Sequence, residues 1–277
     1  MKKQLIRESR LGVMAMATRL MLLMTLLFPL GMTEARAESW SVPKETLTYD
    51  VMYKWGLINK KAGSVAITTG IPSSGTRFKA VLTGATAPWA DKFYRVRDTL
   101  RGTIDSRNFL PYKYEKIAYE GGDFSHDELE FSRKGNTTQA SVIHRRKRKK
   151  DTEVSVSEKV LEATGATLDM LSSFYYMRHL DYASMKGGQT VRLNVFSGSQ
   201  KEILTIHYDG IEDVTIGKKK YPSYHITFTF TSGSGKKTSD NMDAWLSMDS
   251  AKIPLLLEGK LPVGKVRCFY TGQIPSK

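Results

Sequence analysis

The chain has 277 residues, with 42 Lys and Arg against 28 Asp and Glu, a formal net charge of +14, a single cysteine and 40% apolar residues. That apolar share supplies a sizeable core and excludes a disordered, charge-dominated chain, while one cysteine excludes both an internal disulfide framework and a thiolate metal cluster.

At the amino terminus, "MKKQLIRESRLGVMAMATR" carries Lys2, Lys3, Arg7, Arg10 and Arg19 ahead of the apolar run Leu20 to Met32 and the small-x-small site Ala35-x-Ala37. This is the order of a secretory leader, and the apolar run is shorter than the roughly 20 residues of a transmembrane helix. Cleavage is expected after Ala37, so that residues 1–37 are a signal peptide and 38–277 one β-rich domain. The expected location is the periplasm, with secretion as the alternative. The leader takes six basic and two acidic residues with it and leaves the remainder at +10.

Past the leader the dominant pattern is alternation. In "LTYDVMYKW", Leu47, Tyr49, Val51, Tyr53 and Trp55 share one face, the period of a half-buried strand. The same period recurs from "GSVAITT" to "TEVSVSEKV", and resumes from "TVRLNVFSG" to "KVRCFYTG", with turn signals between most segments. Only "TLDMLSSFYYMRHLDYASMKGG" breaks it, placing Leu168, Leu171, Phe174, Tyr175 and Arg178 at helical spacing. A helix over about 167–183 follows, capped by Thr167 and stopped by Gly187-Gly188. The fold class is mostly β: a curved antiparallel sheet, or an open or closed barrel, with this helix packed against it or plugging one mouth. Two strand-rich halves flank the helix.

The stretch "HRRKRKK" at 144–150 gathers Arg145, Arg146, Lys147, Arg148, Lys149 and Lys150. Export removes nucleic acid as a partner, which leaves a solvated hairpin tip or contact with an anionic membrane surface. Catalytic signatures are absent: there is no G-x-S-x-G elbow, phosphate loop or H-x-x-x-H spacing. His225 falls on the polar side of its strand with Thr227 and Thr229, and His126 and His144 fall in charged turns. Acids such as Asp123, Asp127, Glu128, Asp209, Glu212 and Asp213 fall in turns or at exposed strand ends. No catalytic residue, metal ligand or cofactor is assigned, and Cys268 in "KVRCFY" is a small strand residue.

Two blocks carry a resemblance. "LDMLSSFYYMR", with Asp169, Leu171, Ser172, Phe174, Tyr175, Tyr176 and Arg178, and "AWLSMDSAKIP", with Trp245, Leu246, Ser247, Asp249, Lys252, Ile253 and Pro254, resemble the signature blocks of the Domain of Unknown Function 3108 family of exported bacterial proteins. The resemblance implies export and a β-rich fold and brings no catalytic residue with it. Within these blocks, Arg178 suits a carboxylate or carbonyls at the helix end, and Asp249 suits backbone N–H groups in the "MDSAK" turn. Their functional alternative is a ligand site in which Phe174, Tyr175, Tyr176 and Trp245 form walls and Arg178 and Asp249 polar anchors. The expectation is therefore a non-enzymatic binding module for a hydrophobic, amphiphilic or anionic ligand, whose partner is a lipid, a glycan or an envelope protein. An enzyme acting on envelope glycans through paired carboxylates, and a structural scaffold or assembly factor, are the alternatives.

Overall fold

A computed structural model describes residues 42–70, 76–232 and 239–274; the expected leader lies outside the described residues. Fifteen strands follow one another: β1 (Glu45–Trp55), β2 (Ile58–Gly70), β3 (Arg77–Thr86), β4 (Val96–Asp105), β5 (Pro111–Glu120), β6 (Asp123–Lys134), β7 (Thr137–Lys147), β8 (Ser155–Thr164), β9 (Thr167–Asp169), β10 (Thr190–Ser197), β11 (Gln200–Ile216), β12 (Lys219–Ser232), β13 (Met242–Ser247), β14 (Pro254–Lys260) and β15 (Lys265–Tyr270). A single-turn helix, α1 (Pro88–Asp91), sits between β3 and β4, and the longer α2 (Met170–His179) follows β9.

All fifteen strands form one sheet in the order β8-β7-β6-β5-β4-β3-β2-β1-β15-β14-β13-β12-β11-β10-β9. β1 pairs with β15, so the two halves of the chain are one continuous antiparallel surface, and only the short β9 runs parallel to its neighbour. The two ends of the sheet, β8 and β9, are consecutive in sequence. Side chains bridge part of that seam: Asn194 Nδ2 donates to Thr164 O at 2.9 Å and Lys201 Nζ to Glu162 O at 2.6 Å. The result is a nearly closed barrel, which leaves few free sheet edges.

Alternation decides which side chains enter the barrel. Leu47 and Tyr49 of β1, Phe78, Ala80 and Leu82 of β3, Leu100 and Ile104 of β4, and Ile226, Phe228 and Phe230 of β12 all join one buried core. The alternation expected through Trp55 stops at a bulge between Val51 and Met52, beyond which Trp55 lies exposed at the strand end.

The helix packs against the inner face of the sheet and plugs the barrel, as expected. Met170, Leu171, Phe174, Tyr175 and Met177 are buried, and so are Ser172, Ser173 and Arg178 on its other sides, because strands surround it. Its boundaries differ from the expected ones. The cap is Asp169, whose Oδ1 accepts from the backbone N–H groups of Leu171 and Ser172 at 2.7 Å each, while the Ser172 hydroxyl accepts from Asp169 N. Thr167 belongs to β9. The helix ends where Leu180 turns to extended backbone, well before Gly187-Gly188. A carboxylate two residues nearer the apolar run outcompetes a hydroxyl for the orphan amides.

Because neighbouring strands alternate in direction, the β1–β2, β3–β4, β5–β6 and β7–β8 connections all emerge at one end, here called the rim. Glu45 and the β4–β5 and β13–β14 turns lie at the other end, where α2 finishes.

Candidate functional site

The helix block builds the far end of the interior. The Arg178 guanidinium is fully buried; Nη1 and Nη2 donate to Glu45 at 2.5 and 3.3 Å, and Nε donates to Ala251 O at 2.9 Å. Asp249 shapes the turn that presents that carbonyl, its Oδ1 accepting from Ala251 N, Lys252 N and the Ser247 hydroxyl at 2.9, 3.0 and 2.9 Å. Phe174 lies under the guanidinium, Tyr175 hydrogen-bonds Thr69 at 2.6 Å, and Tyr176 meets the Phe109 ring edge-on. Arg178 and Asp249 are thus brought to one turn. Trp245 is not: it stands on the outer face of β13, stacked at 4.6 Å on His225. The four aromatic residues do not line one cavity.

Titratable groups gather elsewhere. His225 touches Glu212 at 3.0 Å and Asp243 at 3.1 Å; burial pulls its pKa down, but Asp243, Glu212 and Asp209 together hold it above the usual value. With both ring nitrogens occupied, this histidine is a fixed strut between strands. His126 and His144 stand within β6 and β7, not in turns; His126 pairs with Glu115 at 2.9 Å and His144 with Asp127 at 2.7 Å. Asp127 itself is buried, against the expectation of exposed acids. So is Asp98 of β4, whose pKa is pushed up to about 8 by burial first and by Glu120 second. Burial likewise lifts the Cys268 thiol to about 12, which keeps it a protonated, inert packing group. Among the described residues no His, Cys, Asp and Glu cluster is arranged to hold a metal ion.

The rim has a different chemistry. Trp55, Leu57 and Ile58 of the β1–β2 turn, Phe93 of the β3–β4 segment, Tyr119 at the end of β5, and Val154 and Val156 at the β7–β8 hairpin are all exposed; Leu57 is fully so, at 105%, and Phe93 at 72%. Of the large exposed apolar side chains among the described residues, only Val160 and Ile211 lie away from this end. The four connections touch in succession. Trp89 Nε1 donates to Lys61 O at 2.7 Å with Lys60 Nζ 4.7 Å above its ring, and Phe93 packs against Trp89. Tyr94 packs so closely on Gly121 that a Cβ there would lie 2.3 Å from the ring, and Gly121 also needs its positive φ of 60°. Lys149 N donates to Asp123 Oδ1 at 2.8 Å and completes the chain of contacts.

The basic run ends β7 and turns the hairpin on this rim. Arg145 is ion-paired with Glu128, Arg146 and Lys147 finish the strand, and Arg148, Lys149 and Lys150 are exposed around a hollow of about 380 Å³ shared with Asp123. Lys54, Lys60, Lys92 and Arg95 extend the positive charge around the rim. Just below, a groove of about 440 Å³ crosses β1 to β5 on the outer face. Its sides are two registered rows, Thr48, Ala66, Thr83, Thr99 and Ile117 on one and Asp50, Ser64, Ala85, Arg97 and Tyr119 on the other.

The family described as "Protein of unknown function (DUF3108)" matches residues 48–270, nearly the whole described sheet. This chain belongs to the DUF3108 family. The match runs from β1 to β15, so the family unit includes the barrel, the enclosed helix and the rim turns. No curated protein matches this DUF3108 chain. Among solved structures it is similar to a β-barrel-like protein of Domain of Unknown Function DUF1849 from Brucella abortus, at 10% identity and a TM-score of 0.55, covering 82% of this chain and 94% of the other. That likeness is one of fold.

Of the rim, the basic run 145–150 is legible in the sequence, while its exposed apolar residues carry no periodic signal. The available signal was "WGLINKK" and "ADKFYR", where apolar side chains stand beside lysines at turn positions, outside the alternation that would bury them.

Proposed function

We propose that this DUF3108 protein is an exported, non-enzymatic binding module that works through its outside, holding an anionic amphiphile at the rim. One observation carries the reading: the helix occupies the barrel interior, while the exposed large apolar side chains and the basic hairpin share one end. Positive side chains supply attraction and the exposed Leu57, Phe93 and Trp55 supply apolar contact, the two halves of an anionic amphiphile. The groove beneath the rim, with Arg97 at its upper row, gives an extended tail a place to lie. This replaces a ligand inside the barrel with a ligand on it. Export to the periplasm is part of the same proposal, resting on the leader-like amino terminus.

The test is calorimetric titration of the exported protein with short-chain phosphatidylglycerol below its micelle concentration, against phosphatidylcholine of the same chain length. Saturable, salt-sensitive binding of the anionic lipid that weakens in Lys149→Glu/Lys150→Glu supports the reading. Absence of binding, or equal binding of both lipids, overturns it.

A further inference from the structure

We infer that the rim is a membrane-docking surface whose partner is the face of an anionic phospholipid bilayer. The inference rests on the rim reading above and deepens it: the anionic amphiphile is met as part of a bilayer face. Three features point that way.

The apolar groups are spread over four separate turns at one end of the barrel, so a single amphiphile engages part of them and a bilayer face engages them together. Leu57 and Phe93, the two most exposed of them, project from the β1–β2 turn and the β3–β4 segment, while Trp55 and Tyr119 stand at the strand ends just behind. Amphipathic rings behind an apolar tip suit the headgroup boundary of a bilayer, where Trp and Tyr are enriched.

The charge complements the same plane. Lys54, Lys60, Lys92, Arg95, Lys149 and Lys150 are exposed and interleaved with the apolar groups, whereas rim acids are partly engaged: Asp91 with Arg97, and Asp123 and Asp151 with hairpin backbone N–H groups. The Lys60 ammonium lies 4.7 Å over the Trp89 ring, a cation–π contact that sets a positive charge directly beside an apolar surface of the rim. Anionic lipid attracts such clusters within a Debye length of the surface.

The rim is also braced. The successive contacts from Lys61 through Trp89 and Tyr94 to Gly121 and Lys149 tie the four turns together, so the anchors are held in place before binding. Little ordering is then left to oppose docking.

The experiment is vesicle flotation of protein expressed as the full chain in an exporting host, with its amino terminus read by mass spectrometry. Vesicles are phosphatidylcholine alone or mixed in equal parts with phosphatidylglycerol. Flotation is expected only with the anionic mixture, and it should fall as salt rises from about 0.01 to about 0.15 M, which shortens the Debye length from about 30 to about 8 Å. Leu57→Asp and Phe93→Asp are each expected to weaken it at least about tenfold, since each anchor contributes the burial of one large apolar side chain. Val160→Asp and Ile211→Asp, exposed at 62% and 63% but off the rim, are expected to leave it unchanged, with far-UV circular dichroism checking the fold of all four. Brominated lipid should quench fluorescence, and Trp55→Phe should remove part of that quenching.

Flotation equal on both vesicle types, absent on both, or equally affected by rim and off-rim substitutions would overturn the inference. If short-chain phosphatidylglycerol still binds in titration, the single-ligand reading stands alone. If neither probe binds, both fail.

Discussion

Replacing Arg178 by Met tests how the helix is locked into the barrel. The guanidinium is fully buried and donates hydrogen bonds to the Glu45 carboxylate and to Ala251 O, so the substitution strands a carboxylate and a carbonyl together. Removing one member of a buried pair costs about 3–5 kcal/mol. The Glu45 side chain keeps 15% of its exposure, so water reaches the stranded carboxylate and moves the expected cost towards the lower end of that range. Against a typical domain stability of about 5–15 kcal/mol this is a large fraction. In urea, with a slope of about 2–3 kcal/mol per molar, the midpoint should fall by about 1 M or more at unchanged slope. Glu45→Gln retains one acceptor and should cost less, and the double variant should cost clearly less than the two singles together, because the second change removes the charge that the first one stranded. A midpoint within about 0.3 M of wild type for Arg178→Met, or strict additivity in the cycle, would refute the view that this pair fastens the helix.

Asp98 should make stability depend on pH. Its folded pKa of about 8 lies above the unfolded carboxylate value of about 4, so the folded state keeps a proton that the unfolded chain releases; stability from this group is present below about pH 4 and is lost as pH rises towards 8. Asp98→Asn should flatten that slope and be the more stable protein at pH 8, by about 1 kcal/mol or more in urea melts; an unchanged slope would assign the dependence to other groups. Asp169→Ala removes the side chain that accepts two helix-terminal amides and should cost about 1–2 kcal/mol, more than Thr167→Ala, and a reversed order in thermal melts would restore Thr167 as the cap.

Much of the fold was legible because period-2 alternation reports one-sided burial, and a nearly closed antiparallel barrel has a buried inner face along most of its strands. "RFKAVLTG" is read correctly for that reason: Phe78, Ala80 and Leu82 all enter the core. The helix was legible as a helix but not as a lumen helix. Ser172, Ser173 and Arg178 look like a polar face until the strands around them are known, and only tertiary structure supplies Glu45, more than a hundred residues away, as the partner that makes a buried arginine tolerable. Trp245 was misleading for the converse reason. Its strand position alternates with buried Ala244 and Leu246, which places it outside, whereas membership of the second resemblance block grouped it with the helix aromatics. Asp98 and Asp127 escaped because a lone acid inside an alternating strand carries no local mark of which face it takes.

The filled interior and the exposed rim together bear on where a ligand can sit. A barrel that holds a ligand inside needs inward-facing volume, and here that volume is occupied by α2, whose aromatic residues pack on Phe78, Phe109 and the strand walls. The same helix fastens both halves of the sheet, through Thr69 and Glu45 on one side and Ala251 on the other, and so gives the barrel a rigid body. Turns outside such a core tolerate side chains that neither core packing nor strand pairing dictates. At the far end the turns are committed to closing over the helix, with Phe109 against Tyr176 and His179 and the Asp249 turn against Arg178. At the rim end it is Leu57, Phe93 and Trp55 that stand exposed among lysines, the feature on which the proposed binding surface rests.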